Sequence, residues 1–273
     1  MLTGVPLAVT SSRIALFTKS NENSLGASLV RLASGNRVNR PSDGIPDYFI
    51  SERLSRESQS YAPVLRDIGE GLAMLQVASS AGESVFNALT DMRELVKMYY
   101  NENTTDSDRD AYRAEFKALR STVSDIIANS RYDGMQLISD NGGNPFKSVV
   151  LEATASPETI DIAYDSDDIA DVVLLELGVT DEATELAAVE AEQGRAGSYL
   201  AKTSASTYGL NAQYNLATLK MNTSNEGARQ SIEADTGEEM VKAMNYSIRN
   251  QSSMAMMAQT NVYVASITKL IGW

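Results

Sequence analysis

The sequence predicts a mainly α protein, a long coiled-coil-like helical bundle with a small β-hairpin and with its N- and C-terminal segments paired. Three observations carry this expectation. Apolar residues recur in alternating steps of four and three over long stretches, which is the spacing of a packed helical seam. Both ends bear a thinner apolar stripe on a background rich in Ser and Asn. One interval, 146–164, alternates as two short strands would.

In the N-terminal segment the stripe is Ile14, Leu25, Leu29 and Leu32. The stretch Arg31-Leu-Ala-Ser-Gly-Asn-Arg-Val-Asn-Arg-Pro-Ser-Asp-Gly44 is where that helix must stop and the backbone must cross to a new one. The next helix opens at Pro46, a residue tolerated in a first turn, and runs to about Tyr100. Its length is roughly 80 Å at about 1.5 Å per residue. Its seam is Leu65, Ile68, Leu72, Leu75, Ser79, Gly82, Phe86 and Leu89, continued with one slip by Met92, Val96 and Tyr99. The small residues Ser79 and Gly82 permit close helix approach. Pro63 removes a hydrogen bond and crowds the preceding turn, so a kink or break is expected near Ser60.

A second helix follows, with Asp106 or Ser107 as N-cap and Asp108 and Asp110 in its first turn. Its apolar face is Tyr112, Phe116, Leu119, Val123 and Ile126. The run Arg131 to Ile138 ends it through a Gly turn and begins an irregular region. Residues 147–152 and 158–164 read as strands around a turn at Ala153 to Pro157, and a lone hairpin is so marginal that it must pack on the helices. Thr180 caps a third long helix with the seam Leu186, Val189, Ala196, Leu200, Leu210, Tyr214, Ala217 and Met221, in which Thr203 and Thr207 are weak points. The C-terminal stripe is Met240, Met244, Ile248, Met254, Met257, Ile267 and Leu270.

Neither terminal stripe suits an isolated helix. Paired with each other they still leave apolar edge uncovered, which invites further copies of the chain. Methionine suits a surface that meets several neighbours in slightly different geometries, although Met254, Met256 and Met257 serve equally well as simple core. The organisation expected is residues 1–45 with 227–273 as one domain and 46–226 as a second.

Composition excludes several classes of function. There is no His and no Cys among the 273 residues, which removes imidazole bases, thiolate chemistry and Ser-His-Asp or Cys-His hydrolysis, so no enzyme and no cofactor are expected. A formal charge of -13 repels phosphate backbones and anionic lipid, so neither nucleic acid nor membrane is an expected partner. No apolar run approaches a membrane span, and no cleaved secretory signal is recognisable at the N-terminus. Asp161, Asp165, Asp167 and Asp168 lack the Gly and the distal Glu of a calcium loop and read as a solvated acidic loop. Glu238 and Glu239 are neighbours on a helix and point apart, so they read as acids near a helix start, not as a catalytic pair. Arg37 and Arg40 either pair with acids on a neighbour or stay solvated.

Several blocks, in order and spacing, resemble bacterial flagellin. Arg31-Leu-Ala-Ser-Gly-Asn-Arg-Val-Asn39 is similar to that family's Leu-Ser-Ser-Gly-x-Arg-Ile-Asn, and Ser231-Ile-Glu-Ala-Asp-Thr-Gly-Glu-Glu-Met-Val241 to its Ile-Arg-Asp-Ala-Asp-x-Ala-Glu-Glu-Met. Asp91-Met-Arg-Glu-Leu-Val-Lys97 resembles its Arg-x-Arg-Glu-Leu-Ala block, and Arg131-Tyr-Asp-Gly134 its Phe-Asn-Gly. Ser253-Met-Ala-Met-Met-Ala-Gln-Thr-Asn261 resembles its Ala-x-Ala-Met-Leu-Ala-Gln-Ala-Asn. The chain departs from the pattern at its first residues and at Pro41-Ser-Asp-Gly-Ile-Pro46, where the wording is nearer to hook-filament junction proteins.

The resemblance implies a secreted, extracellular subunit that self-assembles into the helical flagellar filament of bacterial motility. It implies a homo-oligomer whose terminal domain lines a channel, with an export chaperone, a cap protein and a junction protein as partners. The alternatives are a hook-filament junction protein and a non-flagellar coiled-coil binding protein. Expected self-assembly residues are Ile14, Leu25, Leu29, Leu32, Arg37, Asn39, Met240, Met244, Ile248, Met254, Met257, Ile267 and Leu270. Asp91, Leu95 and Glu115 occupy positions that in this family contact a vertebrate Toll-like receptor, and Asp91 stands where responsive members carry Arg.

Overall fold

The computed structural model describes residues 4–138, 147–150, 159–162 and 175–271. Five helices account for most of them: α1 (Gly4–Ser34), α2 (Ile45–Tyr99), α3 (Asp106–Asn129), α4 (Glu182–Ile232) and α5 (Thr236–Ile271). Two antiparallel two-stranded sheets complete the described residues, β1 (Arg131–Tyr132) with β2 (Met135–Gln136) and β3 (Lys147–Val150) with β4 (Thr159–Ile162). The chain divides into two compact units, Met1–Glu57 with Thr223–Trp273, and Ser58–Asn222.

The second unit holds the apolar core. Ile68, Leu75, Leu89, Met92 and Val96 of the α2 seam are sealed from solvent, and Val64, Met74, Ala78 and Val85 widen the buried stripe beyond the heptad positions. On α3, Phe116 and Val123 are buried with Tyr112, Leu119 and Ile126 packed beside them. On α4, Val189, Ala196, Leu210 and Ala217 point inward, but Tyr214 is exposed, so the seam is narrower than the spacing predicts. Gly82 is a point of close approach between α2 and α4: a Cβ there would lie 2.9 Å from the ring of Tyr199, itself buried with its hydroxyl donating to the Leu137 carbonyl at 3.2 Å.

Two local expectations are corrected, and of the kink or break expected near Ser60 the break is absent. α2 passes through Pro63 without a break. Pro63 is exposed while its neighbours Tyr61 and Val64 are buried, so packing on either side holds the helix across the missing bond. The α3 cap is Thr105, which accepts the Asp108 N–H at 3.2 Å while the Asp108 carboxylate receives the Thr105 N–H at 3.3 Å in a reciprocal capping box. Residues 131–136 form a tight hairpin instead of an irregular run. Asp133 (φ 48°) and Gly134 (φ 81°) supply the two left-handed residues that a two-residue hairpin turn demands. Thr203, buried in the α4 seam, and Thr207 fold their hydroxyls back onto the Leu200 and Thr203 carbonyls of their own helix.

The β3–β4 hairpin pairs Lys147 with Ile162 and Val150 with Thr159, as the alternation predicts; its turn, and Asp165, Asp167 and Asp168, lie outside the described residues. The chain re-enters α4 through an anchored loop. The buried Glu185 carboxylate accepts the backbone N–H groups of Gly178, Val179 and Thr180 at 3.0, 2.7 and 2.9 Å, and Arg120 and Arg113 donate to the Leu175 and Leu177 carbonyls. Thr180 therefore delivers its N–H to a side chain of the helix, and α4 starts beyond it at Glu182. Beside this anchor, burial first and Glu185 second push the Tyr100 hydroxyl up to about 12.

Candidate assembly surface

In the first unit the crossing segment is built from main-chain bonds. Gly35 (φ +72°) takes the left-handed conformation that ends α1. Its carbonyl accepts the Ala234 N–H at 3.0 Å, and the Ile232 carbonyl accepts the N–H groups of Arg37 and Val38 at 2.6 and 3.3 Å. Val38 is buried beneath this joint. A short 3₁₀ turn, Pro41–Asp43, follows, and its Asp43 carboxylate collects the Asn39 and Arg40 N–H groups at 3.1 and 2.9 Å. Asp235 then caps α5 by accepting the Glu238 N–H at 3.1 Å.

Arg37 and Asn39 both make contacts inside this joint. The Arg37 guanidinium lies 2.7 Å from the Asp47 carboxylate and also donates to the Ser231 carbonyl, and the Asn39 amide donates to the Asn36 carbonyl at 3.0 Å. Arg37 thus has its acid on its own chain. Arg40 is exposed.

Beyond the joint α1 and α5 pack on each other, and what they bury is small and polar. Thr18, Ser28, Glu239, Ala243 and Ser253 are all buried. The hydroxyls of Thr18 and Ser253 fold back onto the Ile14 and Arg249 carbonyls of their own helices. Glu239 accepts from Lys242 at 3.0 Å and lies 3.6 Å from Arg31. Burial alone would raise its pKa, but hydrogen bonds from Lys242 and Ser28 and the charges of Lys242 and Arg31 outweigh that and hold it below the ordinary glutamate value. Lys242, bonded to both Glu238 and Glu239, is shifted upward.

The large apolar side chains face the other way. Leu16, Phe17, Leu29 and Val30 of α1 and Met240, Val241, Met244, Ile248, Met254 and Met256 of α5 are each about half or more exposed, Phe17 at 64% and Ile248 at 61%. Ile14, Leu25, Leu32 and Met257 are half-buried. The side chains of Ile267 and Leu270 lie outside the described residues. Small residues line the α1–α5 seam, Ile14, Leu25 and Leu32 of the N-terminal stripe lie half-buried beside it, and Met240, Met244, Ile248 and Met254 of the C-terminal stripe are exposed. Between Ile14 and Phe17 on one helix and Ile248 and Met256 on the other runs an open groove of about 330 Å³. Leu16, Phe17, Val30 and Val241 fall off the single stripe per helix that the spacing defines; a pattern of two apolar faces per helix finds them.

Asp91 and Glu115, on α2 and α3, are exposed, whereas the Leu95 side chain is buried in the core of the second unit.

The profile of the bacterial flagellin N-terminal helical region matches residues 9–142. A flagellin of Halalkalibacterium halodurans is 25% identical over 262 residues, covering 92% of this chain and 93% of that protein. The chain belongs to the bacterial flagellin family. Among solved structures, a flagellin of Bacillus cereus aligns over 55% of this chain and 88% of its own with a TM-score of 0.47 and 16% identity. A protein of Vibrio parahaemolyticus described as flagellar hook-associated aligns over 71% and 96%, also with a TM-score of 0.47 and 16% identity. As a flagellin the chain is a structural subunit of the flagellar filament. No helix among the described residues is long and apolar enough to cross a membrane.

Proposed function

We propose that the unit made of both chain ends is the polymerising part of this filament subunit, forming the inner wall of the channel, and that the hairpin-bearing unit forms the outer layer. The domain division expected from sequence, 1–45 with 227–273 against 46–226, carries over to this proposal. The observation that carries it is the arrangement of α1 and α5, which bury small and polar side chains between them and present Phe17, Leu29, Met240, Met244, Ile248 and Met254 outward. Burying one such side chain stabilises by about 1.5–3 kcal/mol, and only another copy of the chain supplies that burial repeatedly. The subunit leaves the cell through the flagellum's own channel with an export chaperone, is placed at the tip by a cap protein and meets a junction protein at the base. It performs no catalysis. Asp91 opposes receptor contact through its charge, and Leu95, held in the core, offers the receptor no side chain.

The double variant Met244→Asp, Ile248→Asp tests this reading. Purified wild-type chain incubated with filament seeds is expected to give filaments by negative-stain microscopy, and the variant none, with unchanged melting of the helical core. Wild-type chain that never extends seeds, or a variant that polymerises as well as wild type, would refute it.

A further inference from the structure

We infer that Glu239 is a built-in brake on α1–α5 pairing, holding the two helices of a free subunit less firmly together than an apolar residue would, so that they close fully only when neighbouring copies cover their outer faces. This rests on the assembly reading above and adds to it a point of control. The Glu239 side chain is 4% exposed, and its Oε2 is buried without a hydrogen-bond partner. The carboxylate is thus stripped of water and answered by Lys242, Arg31 and the Ser28 hydroxyl, with Oε2 left without a partner. A buried ion pair is often matched or exceeded in stability by apolar residues of similar volume, because its attraction does not recover the lost hydration. The asymmetry here is marked: the cations stay wet, with Arg31 at 31% and Lys242 at 40% side-chain exposure, so both keep their hydration if the acid is removed.

Two further observations separate a brake from a simple staple. The acid that favours the first turn of α5 is already present in the exposed Glu238, 2.9 Å from Lys242, so Glu239 is not required for that role. The rest of the buried seam, Thr18, Ser28, Ala243 and Ser253, offers little apolar surface, so one dehydrated carboxylate weighs heavily in the balance. The same chain turns its large apolar residues outward, where they stabilise pairing only after stacking. A subunit that paired firmly alone would also stack alone.

The experiment compares full-length wild type with E239M and E239L, which keep the volume without the charge, and with E238Q as a control, by hydrogen exchange of the soluble chain at neutral pH. Amides of α1 and α5 are expected to exchange about tenfold or more slowly in E239M and E239L. E238Q is expected to match wild type. Unseeded polymerisation of E239M should start sooner. Amides within 58–222 serve as the internal reference for folding and should not change. Exchange in both apolar variants as fast as wild type, or faster, with the reference intact would overturn the brake. Wild-type growth on seeds reports on the assembly reading separately, so either idea can fail alone.

Discussion

Gly82→Ala is the most demanding test of the core packing described above. The added Cβ would sit 2.9 Å from two ring carbons of Tyr199 and 3.1 Å from a Leu200 methyl, so reaching ordinary contact at 3.4 Å requires a retreat of at least 0.5 Å. Tyr199 has nowhere easy to go, since it is buried and its hydroxyl already spans 3.2 Å to the Leu137 carbonyl. Overpacking of this kind costs about 1–3 kcal/mol. If the ring swings away, the buried Leu137 carbonyl loses its donor at a further cost of about 1–3 kcal/mol. Alanine returns about 1 kcal/mol through helix propensity. The net expectation is destabilisation by roughly 2 kcal/mol, or a fall in Tm of about 4–8 °C for a unit of this size. Circular dichroism melting of the soluble chain measures it. Gly69→Ala in the same helix, where nothing lies within 4 Å of the new Cβ, should be neutral or stabilising by up to about 1 kcal/mol. Gly82→Ala melting at or above wild type would show that α2 and α4 do not touch as closely as Gly82 and Tyr199 require.

Two other outcomes follow from the surface and its charges. Because Glu239 has a folded pKa below its ordinary value, its ionised form contributes stability fully above the unfolded value of about 4.3, and that contribution is lost as pH falls through the lower folded value. Protection of α1 and α5 from proteolysis should accordingly be flat from pH 8 to pH 5 and fall below about pH 4, with the fall flattened in E239Q. The chain has no His, so loosening that begins near pH 6 to 7 would contradict the assignment. The acid dependence compares two protonation states of Glu239 and is compatible with either state holding the helices less well than methionine. For the innate receptor, soluble chain should stimulate reporter cells weakly, and Asp91→Arg should raise the response; wild-type activity equal to that of a responsive flagellin would count against the charge argument.

The helices were legible because their driving force is periodic. The α2 seam from Ile68 to Val96 follows from spacing, since Ile68, Leu75, Leu89, Met92 and Val96 are buried and Leu72 and Phe86 pack against them. The β3–β4 hairpin followed from alternation. What escaped depended on partners distant in sequence or on backbone geometry. Pro63 reads as a breaker until Tyr61 and Val64 are seen to be anchored on both sides. The turn at Gly134 is legible, but the strands on either side of it are not, because two-residue strands are too short to show alternation. At the terminal surface, spacing found the residues but not their direction. A helix with apolar side chains on two faces has no single stripe, and the buried Thr18, Ser28, Glu239, Ala243 and Ser253 reveal which face is turned inward.

The joint between Gly35–Val38 and Ile232–Ala234 is made of backbone groups, and backbone groups are common to every residue except proline. Apart from the left-handed Gly35, the cross-links ask almost nothing of side-chain identity. A junction of that kind keeps its register through side-chain replacement, provided that no proline takes the place of Arg37, Val38 or Ala234, whose N–H groups make the cross-links.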